Sequence, residues 1–167
     1  LPDLKKIFPA VQYFAPMCRH MYLAPDGVSV GIGIFSRTLS FRSLSTNAYV
    51  NNALPVLNLE GVNEGGQHVD LQKIRETESR LLVVGEIEKN RVLFKIGTTH
   101  GIWVKGGVPD DHQRQGTQRL LSCIEKEGDL VLAGDLNAAR GGEIYSILTK
   151  QLKDRVPVKF DNTIDPE

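Results

Sequence analysis

The sequence predicts an α/β domain on three observations. Residues 27–37 and 130–137 are apolar runs of strand length that each deliver polar side chains at their C-terminal end. Residues 91–96 alternate polar and apolar side chains, the signature of a strand. Between that strand and residues 130–137 lies a stretch with helical start and spacing, residues 110–126.

Taken in order, residues 4–14 place Leu4, Ile7, Phe8, Val11 and Phe14 at roughly helical spacing, but Pro9 interrupts them. A short helix and turn is expected there. Residues 27–37 form an apolar strand ending in Ser36 and Arg37. Residues 41–59 are Ser- and Asn-rich and read as an irregular connection with short strand pieces. Residues 61–70, with three glycines, read as a flexible loop. Residues 81–85 and 92–98 are expected to form a hairpin joined near Lys89 and Asn90. On the helix that follows, Arg114 and Gln118 stand one turn apart and are expected to anchor it to the sheet. Residues 130–137 are unbroken and apolar enough for a strand buried on both faces. Residues 142–152 carry Ile144, Ile147, Leu148 and Leu152 on one helical face.

Composition sets outer limits. The chain has 167 residues, suited to one domain with a real core. Lys plus Arg and Asp plus Glu number 20 each, so there is no overall basic field of the kind many nucleic-acid binders carry. A local basic groove remains compatible with that balance. Cys18 and Cys123 match no metal spacing, and a reduced, cytoplasmic pair is the default expectation beside a single disulfide. No apolar run approaches the ~20 residues of a membrane span. No repeat, linker or signal peptide is visible, and a dinucleotide fingerprint is not expected from Gly31 and Gly33.

The chemistry concentrates at strand ends. Asp135 and Asn137 close the apolar run; two residues apart on a strand, their side chains would point the same way. A carboxylate can orient a water or hold a cation, and a carboxamide can donate to a phosphate oxygen. The same residues, with Gly134, also read as a turn. His100 and Trp103 end the alternating strand beside Gly97 and Gly101. Each has a plain alternative: His100 an ordinary strand-end histidine, Trp103 packing under the loop, Arg37 a surface cation. His68 and His112 lie in polar loops and read as solvated. Glu60 and Glu64 flank the glycine-rich loop, and Cys18 with His20 does not make a zinc site.

These pieces, in this order, resemble the endonuclease/exonuclease/phosphatase superfamily, the group that includes deoxyribonuclease I. The resemblance rests on "GIFSR" ending in Arg37, on the paired strands of residues 81–88 and 91–99, and on "THGIW" from Thr99 to Trp103. It continues with Arg114, Gln118 and Leu121 in "RxxxQxxL", and with "GDLN" from Gly134 to Asn137. It implies a four-layer sandwich of two facing mixed β-sheets with outer helices, and a Mg²⁺- or Mn²⁺-dependent phosphoester hydrolase. Its substrate would be a phosphate ester, nucleic acid among the candidates. By the resemblance, Asp135 would align or deprotonate the attacking water and bind the metal. His100 and Asn137 would hold the scissile phosphate, while Arg37 and Trp103 would contact substrate.

The chain departs from the family pattern at both ends. No Gln-Glu pair, the family's metal-binding motif, precedes Gly27, and no Asp-His pair follows Asn137. A single, partial domain over residues 1–167 is expected, with poor hydrolysis by this chain alone. The competing expectation is a non-catalytic binding or scaffold protein that keeps the sandwich. An unrelated α/β domain with a coincidental turn would lack two facing sheets.

Overall fold

A computed structural model describes residues 11–20, 28–36, 38–51, 56–57, 79–157 and 159. The glycine-rich loop of residues 61–70, Arg37, Glu60, Glu64 and His68 lie outside the described residues.

Two mixed sheets form the frame. In the first, strand β1 (Val11–His20) pairs antiparallel with β2 (Val28–Ser36) and parallel with β4 (Val56–Leu57), in the order β2-β1-β4. In the second, β3 (Phe41–Val50), β5 (Arg80–Lys89), β6 (Val92–His100) and β7 (Val131–Asp135) lie in that order. Only β6 and β7 run parallel; the other pairings are antiparallel.

The β5–β6 hairpin turns on Asn90 and Arg91, both left-handed at φ 54° and 64°, which is the twist a two-residue connection needs. Parallel strands need a crossover, and helix α1 (Asp111–Glu127) supplies it between β6 and β7. Asp110 caps its start by accepting from the Gln113 N–H at 2.9 Å. Gly128, at φ 78°, closes its end by donating to the carbonyls of Ile124 and Glu125.

Strand β5 is the spine of the core. Its alternate residues face two layers, because side chains on a strand point to opposite sides. Leu82 and Val84 meet Tyr49, Val50, Ile102, Leu120 and Ile124 on the helix side. Leu81 and Val83 meet Ile34, with Ile32, Phe41 and Ala48 beside them, on the side of the first sheet. Helix α2 (Glu143–Thr149) packs Ile144 and Leu148 on Leu121 of α1. The described residues therefore build sheet, sheet and helices, three layers of an α/β sandwich. Among them, no helix is long and apolar enough to cross a membrane.

Several expectations are corrected. Residues 11–14 are strand, not helix: backbone pairing of Val11 through Phe14 with residues 33–36 overrides the local spacing. Residues 41–50 are one continuous strand rather than an irregular connection. Ser45 and Asn47 would favour a loop if left to bond their own backbone, but both donate to Glu127 at the end of α1, at 3.1 and 2.8 Å. Lys95 adds a 2.5 Å bond to the Glu127 carbonyl. Burial of Glu127 works to raise its pKa, but the bonds from Asn47, Ser45 and Lys95 outweigh it and hold the carboxylate below its usual range.

Strand β7 is not buried on both faces. Among the described residues β6 is its one partner strand, and Val131 is 66 % exposed while Leu132 is half-buried. Its apolar run covers the helix side alone. Arg114 does not reach the sheet either. Its guanidinium takes Glu143 of α2 in a two-pronged pair at 2.6 and 3.0 Å, and also Asp111, so it fastens helix to helix. Gln118 is exposed.

Beyond α2, Asp154 gathers the Tyr145 hydroxyl at 2.7 Å, the Val156 N–H at 2.8 Å and Arg140 at 2.7 Å. These three, in that order, depress its pKa to about 2. A depressed carboxylate stabilises the fold above its unfolded value of about 3.9, and that contribution disappears as pH falls through the folded value. The pH dependence of Tm between 4 and 2 is therefore expected to be shallower in Asp154→Asn than in the wild type. Identical slopes in the two proteins would count against the cluster.

Candidate active site

The site grows from the parallel pair. Two parallel strands end side by side, and in α/β sheets the crevice outside such ends is where ligands bind. Here the last residues in register are His100 of β6 and Asp135 of β7. Their side chains stand close, His100 Nε2 lying 3.8 Å from Asp135 Oδ2, and both are substantially exposed. Alternation puts His100 on the face of Thr98, which sits opposite Val83 in the register. That face turns toward the first sheet, so the pair sits at the rim of the second sheet on the side that faces the first.

Both strands continue into loops that lock together. The Gly101 N–H donates to the Asp135 carbonyl at 2.7 Å, extending the ladder one step beyond the strand. A Cβ on Gly101 would meet the Leu136 carbonyl carbon at 2.7 Å, and one on Gly134 would collide with the Thr99 carbonyl oxygen. The two backbones can approach this closely only because both residues are glycine.

Asn137 departs from the expected geometry. It adopts a left-handed φ of 49°, outside the strand, so the alternation that would align its side chain with Asp135 does not apply. Its N–H donates to Asp135 Oδ1 at 3.0 Å, and its Nδ2 donates to the Gly101 carbonyl at 3.0 Å. Gly134 and Asp135 are strand rather than turn, and only the bond from the Asn137 N–H back to the Asp135 side chain is turn-like. Asn137 thus bridges the two loops with one of its two amide protons.

Behind the rim, the His100 carbonyl accepts from the Tyr49 hydroxyl at 3.1 Å and from Arg80 at 3.3 Å. Tyr49 also meets Thr99 Oγ1 at 3.0 Å, and Thr99 donates to the Leu81 carbonyl at 2.8 Å. Arg80 is buried, so its guanidinium lies behind the rim. Trp103 lies two residues past Gly101 and is 48 % exposed. Arg37 lies outside the described residues, so the structure brings together His100, Asp135 and Asn137 of the expected set.

Sequence reasoning missed Tyr49, Arg80 and Gln113. Gln113 is buried at 4 % exposure and donates from Nε2 to the Ile102 carbonyl at 2.8 Å and to the Asn137 carbonyl at 3.2 Å. A signal for it exists: Asp110 followed three residues later by Gln113 is a capping pattern. It marks Gln113 as a residue with local work, and here the side chain reaches across to the loops. Nothing in the local sequence marks Tyr49 or Arg80, whose partner is the carbonyl of a residue 51 or 20 positions away.

Among the described residues no three of His, Cys, Asp and Glu gather closely enough to hold a metal ion. Among the described residues the rim offers one carboxylate, Asp135. That set fits Mg²⁺ only in the mode where one carboxylate acts together with waters and a substrate phosphate.

No protein-family model and no curated protein matches the chain. Solved structures do. An endonuclease/exonuclease/phosphatase family protein from Bacteroides thetaiotaomicron superposes with a TM-score of 0.52 at 14 % identity, over 90 % of this chain and 50 % of that one. ANGEL2, a 2′,3′-cyclic phosphatase solved in complex with adenosine-2′,3′-vanadate, superposes with a TM-score of 0.53 at 12 % identity, over 99 % of this chain and 44 % of that one. The chain spans about half the length of the structures it matches. Two facing mixed sheets, with helices on one outer face, agree with those neighbours: the chain has the fold of the endonuclease/exonuclease/phosphatase superfamily, as an incomplete α/β sandwich.

Proposed function

We propose that the rim of β6 and β7 belongs to a divalent-metal-dependent phosphoester hydrolase. The observation that carries this reading is the side-by-side placement of His100 and Asp135 at the ends of two parallel strands, on a fold shared with a phosphatase. Asp135 aligns the attacking water or takes its proton. His100 donates to the phosphoryl oxygens as their charge develops, and the second amide proton of Asn137 does the same. Trp103 forms a wall for the organic part of the substrate, and Arg37 contacts the phosphate. Asp135 is the residue that would hold Mg²⁺ or Mn²⁺, which when bound polarises a phosphoryl oxygen and stabilises the leaving group. Nucleic acid, a cyclic nucleotide and other phosphodiesters all present the group that this rim fits.

The second reading is a binding or scaffold protein that keeps the fold without turnover, to which a rim that gathers one carboxylate among the described residues is also suited. One experiment separates the two. This chain, and the chain extended at both ends, are assayed with Mg²⁺ and with Mn²⁺ against DNA, RNA, a 2′,3′-cyclic nucleotide and a chromogenic phosphodiester. The hydrolase reading expects turnover that a chelator abolishes. Binding of the phosphoesters without turnover at either length would replace it with the scaffold.

A further inference from the structure

We propose that Gln113 is a positioning residue for this site, an inference that rests on the hydrolase reading for its catalytic consequence but not for its geometry. Gln113 projects from the first turn of α1, where it is buried, and its Nε2 meets two carbonyls. Ile102 belongs to the loop that leaves β6 just after His100, and Asn137 to the loop that leaves β7 just after Asp135. One amide group therefore ties both loops to the helix that connects them. The orientation is forced: a flipped amide would set Oε1 against two carbonyl oxygens.

Asn137 needs this brace. A left-handed φ is uncommon for any residue with a Cβ, and asparagine tolerates it best where local bonds hold it. Three bonds impose it here: its N–H to Asp135, its side chain to Gly101 and its carbonyl from Gln113. The first two involve the rim itself. Leu136 and Ala138 pack the turn onto Leu121 of the helix, and Gln113 adds the hydrogen bond that fixes Asn137 itself to that helix, which sets the position of Asn137 relative to His100 and Asp135. Small displacements of reacting groups cost rate steeply, which makes this separation a catalytic quantity.

The test uses Gln113→Leu, which keeps the volume and removes both donors, and Gln113→Glu, which keeps the shape and can donate only when protonated. Amide hydrogen exchange is measured at Gly101 and Asn137, and at Leu82 and Val83 as reference. Exchange at the first two is expected to quicken by about 10-fold or more in Gln113→Leu, with the reference pair unchanged, because the loops open locally and the core does not. Turnover of a chromogenic phosphodiester is expected to lose roughly 10- to 100-fold in kcat with KM nearly constant. The kcat of Gln113→Glu relative to wild type is expected to rise as pH falls and the new carboxyl protonates.

Unchanged exchange at Gly101 and Asn137 would overturn the brace, as would an equal rise at Leu82 and Val83, which indicates a purely structural role. If the wild type shows no turnover at either length, or Asp135→Ala keeps full turnover, the hydrolase reading fails while the exchange data still decide the brace. If Asp135→Ala abolishes turnover but both Gln113 variants keep wild-type kcat, the positioning role fails alone.

Discussion

Asp135→Ala is expected to reduce kcat for a phosphodiester by roughly 10²–10⁴-fold, the range typical of losing a positioned acid–base group. Stability should fall by no more than about 1 kcal/mol, the worth of one hydrogen bond, because the carboxylate is largely solvated and its one near bond is to the Asn137 N–H. His100→Ala should lose roughly 10²-fold, the cost of one transition-state donor, with KM nearly unchanged. The contrast between the two variants matters, since the side chains sit 3.8 Å apart and act on the same phosphate in the proposed reading. If they act as a unit, the double variant should be little worse than Asp135→Ala. Equal kcat for wild type and Asp135→Ala, measured together with Tm to exclude unfolding, would remove Asp135 from the mechanism.

The readable parts of this fold are those whose signals are local. The β5–β6 hairpin shows in its alternation and in Asn90. Helix α1 shows in its start and its spacing, and both ends are capped by neighbouring residues, Asp110 and Gly128. The elements that resisted reading take their stability from far along the chain. Strand β3 looks like a loop because Ser45 and Asn47 are turn residues, and their acceptor, Glu127, is 82 and 80 positions away. The same division runs through the site. His100, Asp135 and Asn137 stand at recognisable strand ends, whereas Gln113 was passed over for Gln118, which is on the same helix but turned to solvent. Periodicity names a helix face; it does not say which polar residue on that helix meets a carbonyl.

Strand β7 gives the sharpest quantitative division between the sequence expectation and the structure. Leu82→Ala, in β5, should cost about 2–5 kcal/mol, since Leu82 is 0 % exposed and its loss leaves a cavity between the sheet and α1. Typical domains hold only ~5–15 kcal/mol in all. At about 2–4 °C per kcal/mol for a chain of this size, the Tm should drop by roughly 4–20 °C. Val131→Ala, in β7, is the companion measurement. A strand buried on both faces would lose roughly 1.5 kcal/mol or more there, from two carbon atoms at ~0.8 each. With Val131 66 % exposed, the expected cost is instead about 0.5 kcal/mol or less. Chemical denaturation of both variants beside the wild type checks the pair. A Val131→Ala loss comparable to that of Leu82→Ala would mean that the face of β7 toward the first sheet is covered in solution, as a strand buried on both faces requires.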